Sequence, residues 1–132
     1  MKILGLDMGQ KRIGMALAAE GIIASLGILE NKNLSETIQT IGQISREEKI
    51  EKIIVGLPRY HNTLQADKIR KFALELAKNL AIAVDFIDET LTSKEAERML
   101  AESGINPKSK KFKEEVDKLS AKMILEQYLN SE

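Results

Sequence analysis

A mixed α/β fold is predicted for these 132 residues by two features of their apolar pattern. Three stretches with a two-residue period follow one another before residue 30, the mark of a strand meander. Beyond residue 33, apolar strands alternate with segments of helical spacing. The resulting order, β β β α β α β α α, makes the first three strands antiparallel and the later ones parallel, joined by right-handed crossovers. Residues 1–132 read as a single domain, long enough to bury a core without staples and free of repeats, low-complexity tracts or linkers.

Ile3, Leu4 and Leu6 make the first strand, and after a turn from Gly9 to Arg12 its hairpin partner continues through Ile13, Met15 and Leu17. Gly21 marks the next turn, ahead of a third strand from Ile22 to Leu29. Leu34, Ile38, Ile41 and Ile44 recur at helical spacing, with Ser35 and Glu36 as a polar start. Lys52 to Leu57 form the fourth strand, stopped by Pro58. Residues from Arg59 to Leu64 lack a period and read as a loop, after which Ile69, Phe72, Ala73, Leu76, Ala77 and Leu80 mark a second helix. The fifth strand, from Ala83 to Ile87, ends in Asp88-Glu89. Thr92 or Ser93 caps a third helix, with Glu95 and Glu97 near its positive end and Gly104 near its stop. A polar connection containing Pro107 leads to a last helix from about Phe112 to Leu129.

The bulk numbers exclude several function classes. Twenty basic and twenty acidic residues cancel, so the chain is no polycation and any nucleic-acid contact must be local. The best local patch is Lys108, Lys110, Lys111 and Lys113, for which a solvated helix start is the competing reading. No Cys is present, which removes disulfides and thiolate metal sites and fits a reducing, cytoplasmic setting. No apolar run approaches the roughly 20 residues of a membrane span, and the N-terminus lacks a basic leader, so no membrane contact or processing is expected.

Against that background Asp7 is out of place, an acid at the end of the most apolar opening run. A buried carboxylate without a partner costs several kcal/mol, so it must be neutralised or held for chemistry. Asp7 ends the first strand and Glu89, beside Asp88, ends the fifth, and the carboxyl ends of strands in α/β sheets are where ligands collect. The last helix supplies a third acid. Val116, Leu119, Met123 and Ile124 imply its core face, while Asp117 aligns with Ser120, Ala121, Ile124 and Tyr128 at spacings of three and four. If Asp7, Glu89 and Asp117 meet within about 5 Å, each pair repels by roughly 3 kcal/mol at an effective dielectric near 20. A divalent cation reverses that sign, and all-oxygen ligands suit Mg²⁺ or Mn²⁺. Metal-assisted phosphodiester hydrolysis is the chemistry such a site performs.

Each acid also has a plainer reading. Asp7 can bond the backbone of the Gly9 turn, Glu89 can cap or pair at the surface, Asp88 can be a turn former, and Asp117 can pair with Lys113 or Lys118. Lys11 and Arg12 face a ligand if the Asp-x-Gly turn cradles a phosphate, with Gly9 and Gly14 permitting close backbone approach. Arg59 and Asn62 follow a strand end, the first as a phosphate contact and the second to orient water or substrate. His61 reads as an exposed loop residue, Thr92 and Ser93 as caps, and Met8, Met15, Met99 and Met123 as core fillers.

Four blocks together carry a resemblance: Leu6-Asp7-Met8-Gly9-Gln10-Lys11-Arg12-Ile13-Gly14-Met15-Ala16, Val55-Gly56-Leu57-Pro58, Asp88-Glu89 with Thr92 to Glu97, and Val116-Asp117 leading to Ile124 to Leu129. In order and across nearly the whole chain they resemble the bacterial YqgF family, also called RuvX, of the ribonuclease H-like superfamily. The resemblance implies a five-stranded sheet of order 3-2-1-4-5 flanked by helices. It also implies a cytoplasmic, Mg²⁺- or Mn²⁺-dependent nuclease maturing the 5′ end of precursor 16S ribosomal RNA, a family first viewed as Holliday junction resolvases by similarity to RuvC. By motif, Asp7 and Glu89 match the family's sheet acids and Asp117 its helix acid.

Two departures stand out. After Gly56-Leu57-Pro58 the family usually continues to Asp-Gly where this chain has His61-Asn62, and after Asp-Glu it usually has Arg where this chain has Thr90. Four readings compete: a nuclease for structured RNA; a DNA nuclease for branched junctions, which a symmetric homodimer rather than a monomer would favour; a non-catalytic RNA-binding assembly factor; and an actin- or hexokinase-type ATPase. The last is disfavoured because 132 residues cannot hold its second nucleotide-binding half.

Overall fold

The computed structural model describes residues 1–9, 11–58, 63–89 and 92–131, without the side chains of residues 92 and 93. Its elements run β1 (Ile3–Met8), β2 (Arg12–Ala19), β3 (Ile22–Glu30), α1 (Leu34–Glu47), β4 (Lys52–Leu57), α2 (Leu64–Leu80), β5 (Ala83–Asp88), α3 (Thr92–Leu100) and α4 (Lys110–Asn130). The strands form one sheet of order β3-β2-β1-β4-β5. β1 pairs antiparallel with β2 and parallel with β4, β2 pairs antiparallel with β3, and β4 pairs parallel with β5, the mixed sheet expected from the alternation of elements.

The two-residue period of the strands divides the core into two layers. Leu4, Leu6 and Met8 of β1, Ile13 and Met15 of β2, and Ile53, Val55 and Leu57 of β4 pack with Ile38 and Ile41 of α1 and Ile69, Phe72 and Leu76 of α2. The alternate residues Ile3, Ala16, Ala18 and Ile54 pack with Ala121, Ile124, Leu125 and Tyr128 of α4. A third cluster of Ala96, Phe112 and Val116, with Leu119 and Met123 against it, joins α3 to the outer side of α4. The long helix therefore has two apolar faces. Val116, Leu119 and Met123, expected to face the main core, lean on α3, while the stripe aligned with Asp117 lies on the sheet.

The helix starts differ from expectation in instructive ways. α1 is capped by Asn33, whose side chain accepts from the Glu36 backbone N–H at 2.8 Å, rather than by Ser35. The Asn carboxamide reaches the third helical N–H without bending the chain, so Ser35 falls inside the first turn. Ser109 caps α4 through the Phe112 N–H at 3.1 Å and starts that helix two residues before Phe112. Thr63 caps α2. No helix among the described residues is long and apolar enough to cross a membrane.

Candidate active site

Asp7 lies on β1 in the alternate register to Leu6 and Met8, and so points to the α4 side, where it is 8% exposed. Gly14 is its partner across the hairpin. A Cβ on Gly14 would collide with the Asp117 carbonyl oxygen, so the missing side chain is what lets the α4 backbone lie against β2. The close approach foreseen at Gly14 thus serves a helix rather than a phosphate. Gly9 serves its own turn, donating to the Arg12 carbonyl at 2.9 Å.

Glu89 follows the end of β5 and is anchored there by its backbone N–H to the Leu57 carbonyl at 2.7 Å. Its side chain sits over Gly56, where a Cβ would come within 2.7 Å of Oε2. Gln127 of α4 donates to the Asp88 carbonyl at 3.1 Å, tying the helix to the same strand end. Asp88 itself is exposed.

Three acids from β1, the end of β5 and α4 therefore line one cleft of about 330 Å³, together with Met8, Gly9, Pro58, Gln65 and Lys94. Asp7 and Glu89 share a hydrogen bond, which two carboxylates can form only if one keeps its proton. Burial first, then the bond and the charge of Asp7, push Glu89 up to about 10, so Glu89 is the donor. Asp7 is also raised, by burial and the nearby Asp117, with the bond from Glu89 opposing. Burial raises Asp117 too, but Arg12 opposes it, its Nε donating to Asp117 Oδ2 at 2.9 Å.

The acids are gathered but not arranged as a preformed cage: no three His, Asp or Glu side chains among the described residues are placed to hold one ion together. Asp117 is turned to Arg12, and Asp7 and Glu89 are turned to each other. The donor set still fits a hard divalent cation. It offers only carboxylate oxygens, and both present partners, a proton and a guanidinium, are substitutes for positive charge.

The other expected residues divide. Arg12 lines a neighbouring cleft with Glu97, Lys113 and Asp117, and its head group is engaged by Asp117. Lys11 is exposed in the hairpin turn, its carbonyl accepting from the Asn31 N–H. Arg59, Asn62, His61 and Thr90 lie outside the described residues. Lys108, Lys110, Lys111 and Lys113 are exposed around the start of α4. Sequence reasoning passed over Lys94 and Gln65, which line the acid cleft from the first turns of α3 and α2. A lysine five residues beyond Glu89, at a helix start, was the available signal for the first; nothing marked the second.

Relatives match this chain over nearly its whole length. The chain is 39% identical over 137 residues to a protein of Caldanaerobacter subterraneus subsp. tengcongensis, covering 100% of this chain and 98% of that protein. It is 41% identical over 136 residues to one of Syntrophus aciditrophicus, covering 99% and 89%. Both are provisionally named pre-16S rRNA nucleases. Among solved structures, Thermus thermophilus RuvC in complex with a Holliday junction substrate superposes with a TM-score of 0.60 at 15% identity, covering 99% of this chain and 96% of that one, a likeness of fold. Residues 1–131 match the family model described as RuvX, Holliday junction resolvase, and the chain belongs to that family.

Proposed function

We propose that this protein is a metal-dependent nuclease that hydrolyses phosphodiester bonds at the 5′ end of precursor 16S ribosomal RNA in the cytoplasm. The observation that carries the reading is the convergence of Asp7, Glu89 and Asp117 on one cleft, with a proton held between two of them. The family and the names of the relatives support the reaction class and the RNA.

Asp7, Glu89 and Asp117 would hold Mg²⁺ or Mn²⁺, which supplies activation of water and charge neutralisation at the phosphate. For the carboxylates to serve, Glu89 must give up its proton and Asp117 must leave Arg12. The freed guanidinium is then positioned beside the cleft for a phosphate oxygen, a bidentate role to which Arg is suited. Lys94 lines the same cleft and offers a second cation. Lys11, Arg59 and Asn62 complete the proposed contacts to substrate. The family description favours a second reading, a nuclease for branched DNA, which a homodimer with paired clefts rather than a monomer would support.

The test is cleavage of precursor ribosomal RNA, a four-way DNA junction and single-stranded RNA, with Mg²⁺ or Mn²⁺, by wild type and Asp7→Asn. The substitution is expected to slow cleavage at least about a hundredfold without loss of stability. Equal rates in the two proteins reject the site, and preference for the junction rejects the RNA assignment.

A further inference from the structure

Beside the acid cleft lies a larger one, about 560 Å³, between β1, the end of β3 and the first turns of α1 and α2. It is the larger of two clefts that meet at Met8, Gly9 and Gln65, which line both. Its volume falls in the range of small-molecule sites. Phe72 forms part of its lining, and Leu34 and Leu64 rim it at 44% and 72% exposure. Large apolar side chains held in water at the edge of a cleft form a surface suited to a flat apolar face. Lys32 and Lys68 also line it, and no acid does. Lys32 is paired with Glu30 at 3.2 Å, both partners well exposed, whereas Lys68 makes no ion pair among the described residues.

We infer that this cleft binds one unpaired nucleotide of the strand whose phosphate sits at Asp7 and Glu89. The inference rests on the nuclease reading and deepens it. A nucleotide combines an apolar face with an anionic link, which is what Leu34, Leu64 and Phe72 together with Lys68 complement. Continuity through Met8, Gly9 and Gln65 puts the next nucleotide of a strand within reach of the acids. A base held in a duplex presents only its edge to a groove, so occupancy of this cleft demands an unstacked base. The protein thereby selects strands that are open at the cleavage point.

The experiment is fluorescence anisotropy of a labelled single-stranded oligouridylate and of an RNA duplex of equal length, in EDTA so that neither is cut. Leu64→Ser is expected to weaken the single strand about tenfold and the duplex less than about twofold. Lys68→Ala, on an exposed helical position, is expected to lower the slope of log affinity against log salt by about 0.7 for the single strand. Equal loss on both RNAs overturns selection of an unpaired nucleotide. Affinities within twofold of wild type for both variants overturn the subsite altogether, and Lys68→Ala keeps the test open if Leu64→Ser fails to fold. Cleavage is scored separately with Mg²⁺ or Mn²⁺. A protein that binds through Leu64 but cuts no RNA refutes the nuclease reading and leaves the subsite standing, and normal cleavage with unaltered binding does the reverse.

Discussion

The two faces of the sheet are built from opposite materials. Toward α1 and α2 the three central strands present Leu4, Leu6, Met8, Ile13, Met15, Ile53, Val55 and Leu57, a bulky layer that fills space and holds the helices at side-chain distance. Toward α4 they present Gly5, Gly14, Ala16, Ala18 and Gly56 beside Ile3 and Ile54, so that side chains of α4 settle onto the strands at Gly5 and Gly56 and its backbone meets β2 at Gly14. The first face carries the larger cluster of buried apolar residues. The second gives up area for proximity, and proximity is what brings an acid of α4 beside acids of β1 and β5.

That contrast predicts separable consequences for substitution. Leu4 is fully buried in the bulky layer, and Leu4→Ala is expected to cost about 3 kcal/mol through lost transfer energy and an unfilled cavity. Urea unfolding measures the cost, while the cleavage rate per folded molecule should stay within about twofold of wild type, since the acids lie on the other face. A rate loss exceeding the unfolded fraction would show that the faces are not independent.

Gly14→Ala should behave in the opposite way. Its Cβ would meet the Asp117 carbonyl carbon at 2.7 Å and the oxygen closer still, and both are backbone atoms that cannot rotate away. Overpacking of this kind costs about 1–3 kcal/mol, and relief requires α4 to shift, carrying Asp117 with it. Mn²⁺ affinity measured by calorimetry should fall at least about tenfold. Retention of wild-type affinity would mean that Asp117 is not a ligand or that the helix is not held by this contact.

How far the site could be read from sequence follows the same division. Asp7 was legible because a period-two strand assigns it to a face and an apolar neighbourhood makes an acid costly there. Asp117 was legible because its neighbours at three and four residues are small or apolar, and that stripe does lie on the sheet. The antiparallel meander and the parallel later strands followed from the sequence of elements, whereas the strand order β3-β2-β1-β4-β5 was implied only by the family resemblance. What failed to appear were facts of tertiary approach. No spacing rule shows that Gly14 faces a helix carbonyl, that Arg12 reaches across to Asp117, or that Lys94 and Gln65 line the acids from two different helices. The polar start read at Ser35 and Glu36 does lie in the first turn, but it left the cap unassigned: Asn33 and Ser35 are both good caps, and only the path of the chain after β3 decides between them.

The stripped face also carries a proton, which makes the ion-free protein sensitive to pH. Glu89, ordinarily near 4.5, is raised to about 10 by burial and by Asp7. A group whose folded value is raised contributes stability in full below its unfolded value and loses it as pH climbs toward the folded one. The melting temperature in EDTA should therefore decline steadily from about pH 4.5 toward about 10. Glu89→Gln, which keeps a donor to Asp7 but cannot ionise, should flatten that decline. A wild-type profile with no slope in this window would show that the two carboxyls do not share a proton. With Mg²⁺ or Mn²⁺ the sign reverses for binding, because the ion displaces the proton and affinity grows as pH rises.

The smallest expected effect concerns the one acid that does not depend on a proton. Arg12 and Asp117 are both about a quarter exposed, so their bond contributes only about 0.5–1 kcal/mol to stability and Arg12→Gln should melt within a few degrees of wild type. Its effect on the cleft is larger than its effect on the fold. Removing the guanidinium releases Asp117 and deletes a positive charge beside the acids, so Mn²⁺ affinity without RNA should rise about threefold, while affinity for RNA falls. Opposite movement of the two affinities is the signature of an arginine that stands in for the ion and then passes to the phosphate. If both weaken together, Arg12 instead braces α4 against the hairpin, and the difference between the two faces would lie in packing alone.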